Sequence, residues 1–518
     1  MNGPVPLSCP GGFRRRFRDP HRRRRISAGI QSGLSSLPFA WPQKNPARLR
    51  TSVGNPPVAK TFASMESKTA FMARIYPFRA LRYNPALVRL DDVVTQPYDQ
   101  ISPAMQQAYY QRNPYNLVRI ILGLPELFDA QKGESVYTRA ARDFRAWREQ
   151  GVLIQEKDPC VFAYSQRFVE PGSGSVKERR GFIALGKLYE YGARVVFPHE
   201  HPPAGPKTDR LNLLRATRAH FGPIFMLYSD PARTVEKLLF DANGPADGEA
   251  TDEYGVLNRI WRVNDPAMLR LLITAMEDKK LIIAAGRHCY ETALDYLRES
   301  AAACAARAGG ESRAEFSPAH VPEPDFPEAA AMMTFVNMDS EGLAILPTHR
   351  VVQGLAHFDP GSFARAAEEF FTVKKTAAVE TIPLLEMLRK TEGTAFVAVT
   401  RHGALLLRSK IEAMDAALQN VPMRQRRLDL TQLHAVVLER LLGLDARAMR
   451  EGPQIRYLRE AGEAVEQVRR GEADVSFLTN PVTMDQLREV AFAGDAMPQK
   501  STDFYPRPLS GLAIYALE

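Results

Sequence analysis

The sequence predicts an α+β (mixed α/β) chain of mixed sheets, with hairpins and interspersed helices. From Met72 onward, stretches with the 3.6-residue period of an amphipathic helix alternate with short apolar runs of strand length. Several of those runs follow one another across turn residues, as hairpin strands do. No fixed internal repeat appears, which argues against a solenoid. At 518 residues the chain can bury a large core, and its length favours two or more domains.

The elements follow in order. ARIYPFRALRY (73–83) reads as the opening strand. Ser102-Pro103 supplies an N-cap and first helical residue for PAMQQAYYQR, which Asn113-Pro114 ends. NLVRIILG (116–123) is expected to be a strand, and Ser135 to Gln150 a helix stopped by Gly151. CVFAYSQRFV and RRGFIALGKLYEY flank a hairpin loop, LNLLRATRAH is helical, and PIFMLYS is a strand. Beyond residue 310, MMTFVNM and LAILP bracket Asp339 to Gly342 as a second hairpin. TAFVAVT and ALLLRS form a third around Arg401-His402-Gly403. Helices are expected at Phe363 to Phe371, Leu384 to Arg389 and His434 to Leu442, and the strand ADVSFLTN leads into the helix TMDQLREVAFAG. The organisation read from these signals is a basic tail at 1–64, an N-terminal α/β domain at 72–310, a linker or loop at 311–328, and a C-terminal α/β domain at 329–518.

The net charge of +9 is carried by the tail. Ten Arg with Lys44 and Lys60 face Asp19 alone, so residues 1–64 hold +11 and the remainder −2. No nucleic-acid partner is therefore expected for the folded part. The tail is rich in Arg, Pro, Ser and Gly without period, a disordered composition. It is read as a weak secretory signal, an organelle transit peptide, or upstream sequence before a start at Met65 or Met72; the abrupt onset of pattern at Met72 favours the last. Cys9, Cys160, Cys289 and Cys304 show no C-x-x-C spacing, which suggests neither a zinc knuckle nor a disulfide framework. No run approaches the roughly 20 apolar residues of a membrane helix. A cytoplasmic protein is expected, with no membrane partner; the oligomeric state stays open.

The most informative stretch is LIIAAGRHCYETALDYLR (281–298). A short strand breaks at Gly286 and restarts as an amphipathic helix, so the helix's free N–H groups and positive dipole end could meet a phosphate or carboxylate, with Arg287 and His288 beside it. An ordinary strand-to-helix turn explains the same residues.

Seven strings taken together resemble one family: YPFRALRY, QPYDQIS, NPYNLVRIILG, HE followed by PKTDR, HCYETAL, LPTHRVV and MPQKSTDFYP, in that order. They are those of the bacterial family named domain of unknown function 1015, and the resemblance spans roughly Met72 to Glu518. Its usual central string, D-G-H-H-R-Y-E, is similar to the phosphate-gripping turn of the ParB and sulfiredoxin-like superfamily, which includes a free-serine kinase. The resemblance implies such an element around Gly286. Gly286, His288, Tyr290 and Glu291 keep the pattern, whereas Ala285, Arg287 and Cys289 replace its Asp, first His and Arg. Losing that Arg removes a bidentate phosphate donor.

Further candidates lie at strand ends and in loops, where binding residues concentrate. His199, Glu200 and His201 lack the H-E-x-x-H spacing, although His199 and Asp209 could ligate a metal. Lys207, Asp209 and Arg210 form a charge triplet at a helix start, with Asp209 equally suited to cap it. His349 and Arg350, after a strand end at Pro347, are read as a surface turn or an anion contact in the ligand site, and Lys500, Ser501 and Thr502 as an anion contact or solvated turn. Tyr98-Asp99 and Tyr115-Asn116 read as structural turns after Pro. His199, Asp209, His288 and His349 are expected to converge on one cleft. The excess of basic groups points to an acidic small-molecule ligand, such as a nucleotide with Mg2+. In a phosphotransferase of serine-kinase type, Gly286, Arg287 and His288 would hold phosphate, Lys207 and Arg210 neutralise it, and Glu200 or Asp209 act as base or metal ligand. A regulatory binding protein with a decayed site and a metal-dependent hydrolase are the alternatives.

Overall fold

Capping residues define several helix ends. Helix α1 (Pro103–Arg112) begins on Ser102, whose side chain accepts from the Met105 N–H at 3.2 Å. Helix α2 (Val136–Glu149) opens on a Ser135–Thr138 capping box, and Gly151 just beyond it takes φ +71°. The structure, a computed structural model, describes residues 73–125, 134–200, 207–241, 244–308, 321–378 and 380–518. The basic tail, His201 and most of the 311–328 connection lie outside them. All the described residues belong to one compact unit.

A nine-stranded mixed sheet forms its centre. Its strands are β1 (Ile75–Tyr76), β2 (Val161–Val169), β3 (Val176–Lys187), β4 (Val196–Pro198), β5 (Ile224–Tyr228), β6 (Gly248–Thr251), β7 (Leu257–Val263), β8 (Leu281–Ala285) and β9 (Ala330–Asn337). The spatial order is β4-β8-β5-β9-β3-β2-β7-β6, with β1 also paired to β3. Only the β4–β8 and β5–β9 pairs are parallel. Strand β9 follows residue 329 yet lies between β5 and β3, so the boundary expected at 329 cuts through this sheet.

Side-chain alternation gives the sheet two buried faces. Ile224, Met226 and Tyr228 join a core with Leu269 and Leu272 of helix α4 (Pro266–Met276) and Tyr290 and Leu294 of helix α5 (Arg287–Ala308). Phe225 and Leu227 point the other way, into a core shared with a second sheet. That sheet is antiparallel, with strands β10 (His349–Val352), β11 (Phe371–Thr376), β12 (Ala395–Thr400), β13 (Gly403–Ser409), β14 (Ile455–Leu458) and β15 (Val475–Thr479) in the order β11-β13-β12-β15-β10-β14. Two-stranded pairs complete the mixed α/β fold.

Four local expectations are corrected. NLVRIILG contains no strand: Val118–Ile121 is one helical turn, started by the Asn116 side chain accepting from the Val118 N–H at 3.0 Å. A buried apolar run of this length carries no period that separates helix from strand. MMTFVNM and LAILP do not pair with each other, because Ala344–Leu346 pairs with Asp503–Tyr505. The chain at Gly342 passes so close to Glu178 that an added Cβ would lie 2.0 Å from its carbonyl oxygen. His349-Arg350 are no surface turn but the start of buried strand β10. Finally, Ala219-His220 leave their helix and pair with Tyr515-Ala516.

Candidate functional site

Strand β8 is buried up to Ala284 and ends at Gly286, whose φ of +81° lies in the left-handed region that suits glycine. The Gly286 carbonyl accepts from the Tyr290 N–H at 3.0 Å, which starts α5. A glycine at this position has no side-chain oxygen with which to cap the helix. Among the described residues, no side chain meets the N–H groups of Arg287, His288 or Cys289.

These residues line a cavity of about 400 Å³. Its other walls come from Tyr98 and Asp99, the helix α3 (Lys207–Thr217), the 219–225 segment, His199 and Glu200, Lys500 and Thr502, and residues 507–510. Leu213, Leu214, Phe221 and Phe225 give it an apolar side. Two lining atoms on α5, one turn apart, are buried without a hydrogen-bond partner among the described residues: His288 Nε2 and Thr292 Oγ1. Thr292 is only 3% exposed. Burial, outweighing the pull of Glu291 and Asp99, lowers the His288 pKa from its usual value, so the imidazole is neutral at pH 7.

The cations expected to grip phosphate are mostly neutralised within the protein. Arg287 pairs through Nε with Glu291 at 2.8 Å and donates through Nη1 to the Glu200 carbonyl. Lys207 does not line the cavity; its Nζ sits 2.8 Å from Glu291. Arg210 lines it but spends Nε and Nη2 on Asp209 and Nη1 on the Ile121 carbonyl, with its guanidinium 4.2 Å from the Tyr98 ring centroid. Asp209, behind Arg210, also accepts from the Tyr137 hydroxyl at 2.8 Å. Lys500 lines the cavity with no ion pair among the described residues.

Glu200 clamps the 500–502 loop. Its Oε2 accepts from the Lys500 N–H at 3.1 Å, and Oε1 accepts the Thr502 N–H and hydroxyl, each at 2.7 Å. Burial raises its pKa, but hydrogen bonding and charge from His199, with the Thr502 donors, prevail and hold it at about 2. So weak a base, with both oxygens engaged, is poorly suited to proton abstraction. His199 is committed too: Nδ1 lies 2.6 Å from the Ile283 carbonyl and Nε2 2.6 Å from Thr502 Oγ1. Its nitrogens are thus taken, Asp209 is held by Arg210, and among the described residues no three His, Cys, Asp or Glu side chains gather as a metal site.

Of the four residues expected to converge, His199 and His288 line the cavity, while Asp209 and His349 do not. His349 is 1% exposed in β10, its Nδ1 accepting from the Thr479 N–H at 3.2 Å. Arg350 is fully buried, directing Nε at His434 Nε2 and donating to the Thr348 and Lys500 carbonyls. Arg350 thus supports the Lys500 loop from behind, whereas His349 is bonded to the neighbouring strand and not to a lining residue. Sequence reasoning read Tyr98-Asp99 as a turn, which they form as a one-turn helix, but they also line the cavity. Arg507 and Ser510 line it as well, and only the neighbouring MPQKSTDFYP string signalled their region.

Fold and site together define a mixed α/β protein with a partly open, mainly apolar cavity at a strand–glycine–helix junction. The chain belongs to a family described as "Protein of unknown function (DUF1015)", whose model matches residues 75–431. No curated protein matches the chain. Among solved structures it is similar to a conserved hypothetical protein from Pyrococcus furiosus, at 11% identity and a TM-score of 0.30, over 61% of this chain and 89% of that one. It is similar to a free serine kinase in complex with AMP, at 12% identity and TM-score 0.30, over 60% and 83% of the two chains. A third is SbnI with a C-terminal truncation from Staphylococcus aureus, at 10% identity and TM-score 0.29, over 63% and 85%. Likeness at this level assigns no ligand and no activity to the chain. Among the described residues no helix is long and apolar enough to cross a membrane.

Proposed function

We propose that the cavity binds a phosphorylated small molecule of the nucleotide or phosphometabolite class, with its phosphate at the first turn of α5. The observation that carries this reading is the pair of orphaned polar atoms, His288 Nε2 and Thr292 Oγ1, beside uncapped helix N–H groups in one cavity. Burying a polar atom without a partner costs about 1–3 kcal/mol, a cost that a bound ligand's polar groups would offset. The helix end favours a negative charge, and Lys500 adds a cation with no ion pair among the described residues. Leu213, Leu214, Phe221 and Phe225 provide an apolar surface for the body of the ligand. The cavity is within the size of small-molecule sites, roughly 300–1,000 Å³.

Phosphoryl transfer is a second reading, favoured by the neutral His288 at the same turn. His288 would take the proton of an acceptor hydroxyl as its oxygen bonds to phosphorus and the bond to the leaving group breaks. Glu200 is displaced from the role of base for the reasons above. The donor set does not fit a Mg2+ held by protein alone, since the Glu200 oxygens are occupied and Asp99 is the other lining carboxylate.

Calorimetric titration with AMP, ADP and glycerol 3-phosphate, against adenosine and glycerol, tests the binding reading. At least one phosphorylated ligand is expected to bind at least tenfold tighter than its unphosphorylated parent. Lys500→Ala is expected to weaken that ligand by about 1.5 kcal/mol, the lower end for a hydrogen bond to a charged group. Parents that bind as tightly as their phosphates would refute the reading. For transfer, His288→Ala is expected to abolish turnover of a phosphoryl donor while weakening binding only several-fold, as loss of one contact would.

A further inference from the structure

A second cation enters the cavity from a wall independent of α5. Arg507 is half-buried, its Nε is sealed from solvent without a partner, and among the described residues no carboxylate pairs with it. Its backbone is held firmly: Gln166 Nε2 donates to the Arg507 carbonyl at 3.0 Å, and Arg179 donates to the carbonyls of Tyr505, at 3.4 Å, and Pro506. Arg179 is itself 2% exposed, lies 4.7 Å from the ring centroid of the lining Phe225, and is also without a carboxylate partner among the described residues. Burial first, and then the charge of Arg507, bring the Arg179 pKa down to about 10. Neighbouring uncompensated guanidiniums at a cavity oppose folding unless an anion joins them. Ser510 is the third polar group here. Its hydroxyl has no partner among the described residues, and Gly222 beside it leaves it room, since an added Cβ would lie 2.5 Å from Ser510 Oγ.

Resting on the phosphate reading above, we infer that Arg507 and Ser510 receive a second acidic group of the same ligand, so that the bound molecule carries two acidic groups. One is the phosphate at α5. The other is a carboxylate or a further phosphate, either of which matches the planar donor fork of an arginine. A ligand with one acidic group would leave one of the two donor sets unpaired.

Two matched pairs of probes distinguish the sources. 3-Phosphoglycerate and glycerol 3-phosphate differ by a carboxylate, and ADP and AMP by a phosphate. With the full chain, the doubly acidic member of one pair is expected to bind at least tenfold tighter than its partner. Arg507→Gln is expected to cut that ratio below threefold while leaving the singly acidic member within threefold of its wild-type affinity. Arg507→Lys, which keeps the charge and loses the fork, is expected to give an intermediate ratio, and it guards against a Gln variant that fails to fold. Preference in the first pair assigns a carboxylate, and preference in the second a phosphate. Probes that bind with no preference in either pair, or with one that both Arg507 variants leave intact, would overturn this inference and spare the phosphate reading. If none of the four binds the wild-type chain, both fall.

Discussion

Arg350 Nη2 donates to the Lys500 carbonyl at 2.8 Å, tying the second sheet to the loop that closes the cavity. Lys500 takes φ +58°, an uncommon conformation for a residue with a side chain. Glu200 holds the same residue from the other side, through its N–H. A buried arginine and the Glu200 carboxylate thus fix the backbone of a nominated cation whose ammonium has no ion pair among the described residues.

Replacing Arg350 by Met is therefore expected to act on stability and on the site together. It leaves the part-buried Thr348 and Lys500 carbonyls and His434 Nε2 short of a donor, each costing up to the about 1–3 kcal/mol of a fully buried orphan. Urea denaturation is expected to show a loss of about 3 kcal/mol, since the neighbours relax in part. In the folded fraction, affinity for the phosphorylated probe falls although Arg350 never touches it. Unchanged affinity would show that the Lys500 loop keeps its shape unaided.

Acid is expected to weaken the fold in two stages. Burial lowers His220 and His349 to about 4 and His434 to about 3, Arg350 adding to the effect at the last two. Between pH 6.5 and about 4 for His220 and His349, and down to about 3 for His434, the unfolded chain binds protons that these folded imidazoles refuse, so their contribution is complete above pH 6.5 and lost on acidification. Glu200, held at about 2, contributes stability above its ordinary carboxyl range that fades between about pH 4.5 and 2. The urea midpoint measured against pH is expected to decline across both windows. Glu200→Gln is expected to flatten only the lower one, and a variant that declines there as steeply as the parent would show that Glu200 is not the group responsible.

What the sequence disclosed depended on whether the signal was local. The turn at Gly286 was legible because a strand period, a glycine and a helical period meet there, and Ser102 announced its helix by capping. Strand β10 was missed because THRVV has polar residues at its start, and only tertiary packing buries His349 and Arg350. Neutralisation of the expected anion grip was half readable. Arg287 and Glu291 stand four apart on one helix, an evident pair, whereas the Glu291 contact to Lys207 crosses 84 residues of chain. Arg507 sits in no period and no motif, and it acquires meaning only when Gln166 and Arg179 hold its segment against the cavity.

Thr292 offers the sharpest test, because stability and binding should move in opposite directions. Its hydroxyl is buried, lines the cavity and has no partner among the described residues, so the ligand-free protein is less stable for having it. Thr292→Val keeps the shape and removes the unpaired oxygen. By the cost of an orphaned buried polar group, the variant is expected to gain about 1 kcal/mol in urea denaturation. The helix backbone has no stake in the exchange, since this hydroxyl does not bond back to a main-chain carbonyl. If the same oxygen meets a ligand, the gain is repaid in affinity: the tightest phosphorylated probe is expected to bind Thr292→Val several-fold more weakly. A variant that is more stable and binds equally well would make Thr292 an ordinary imperfection of packing. One that is less stable would mean the hydroxyl already has a partner in the ligand-free protein, and the orphaned pair on α5 would no longer speak for a ligand.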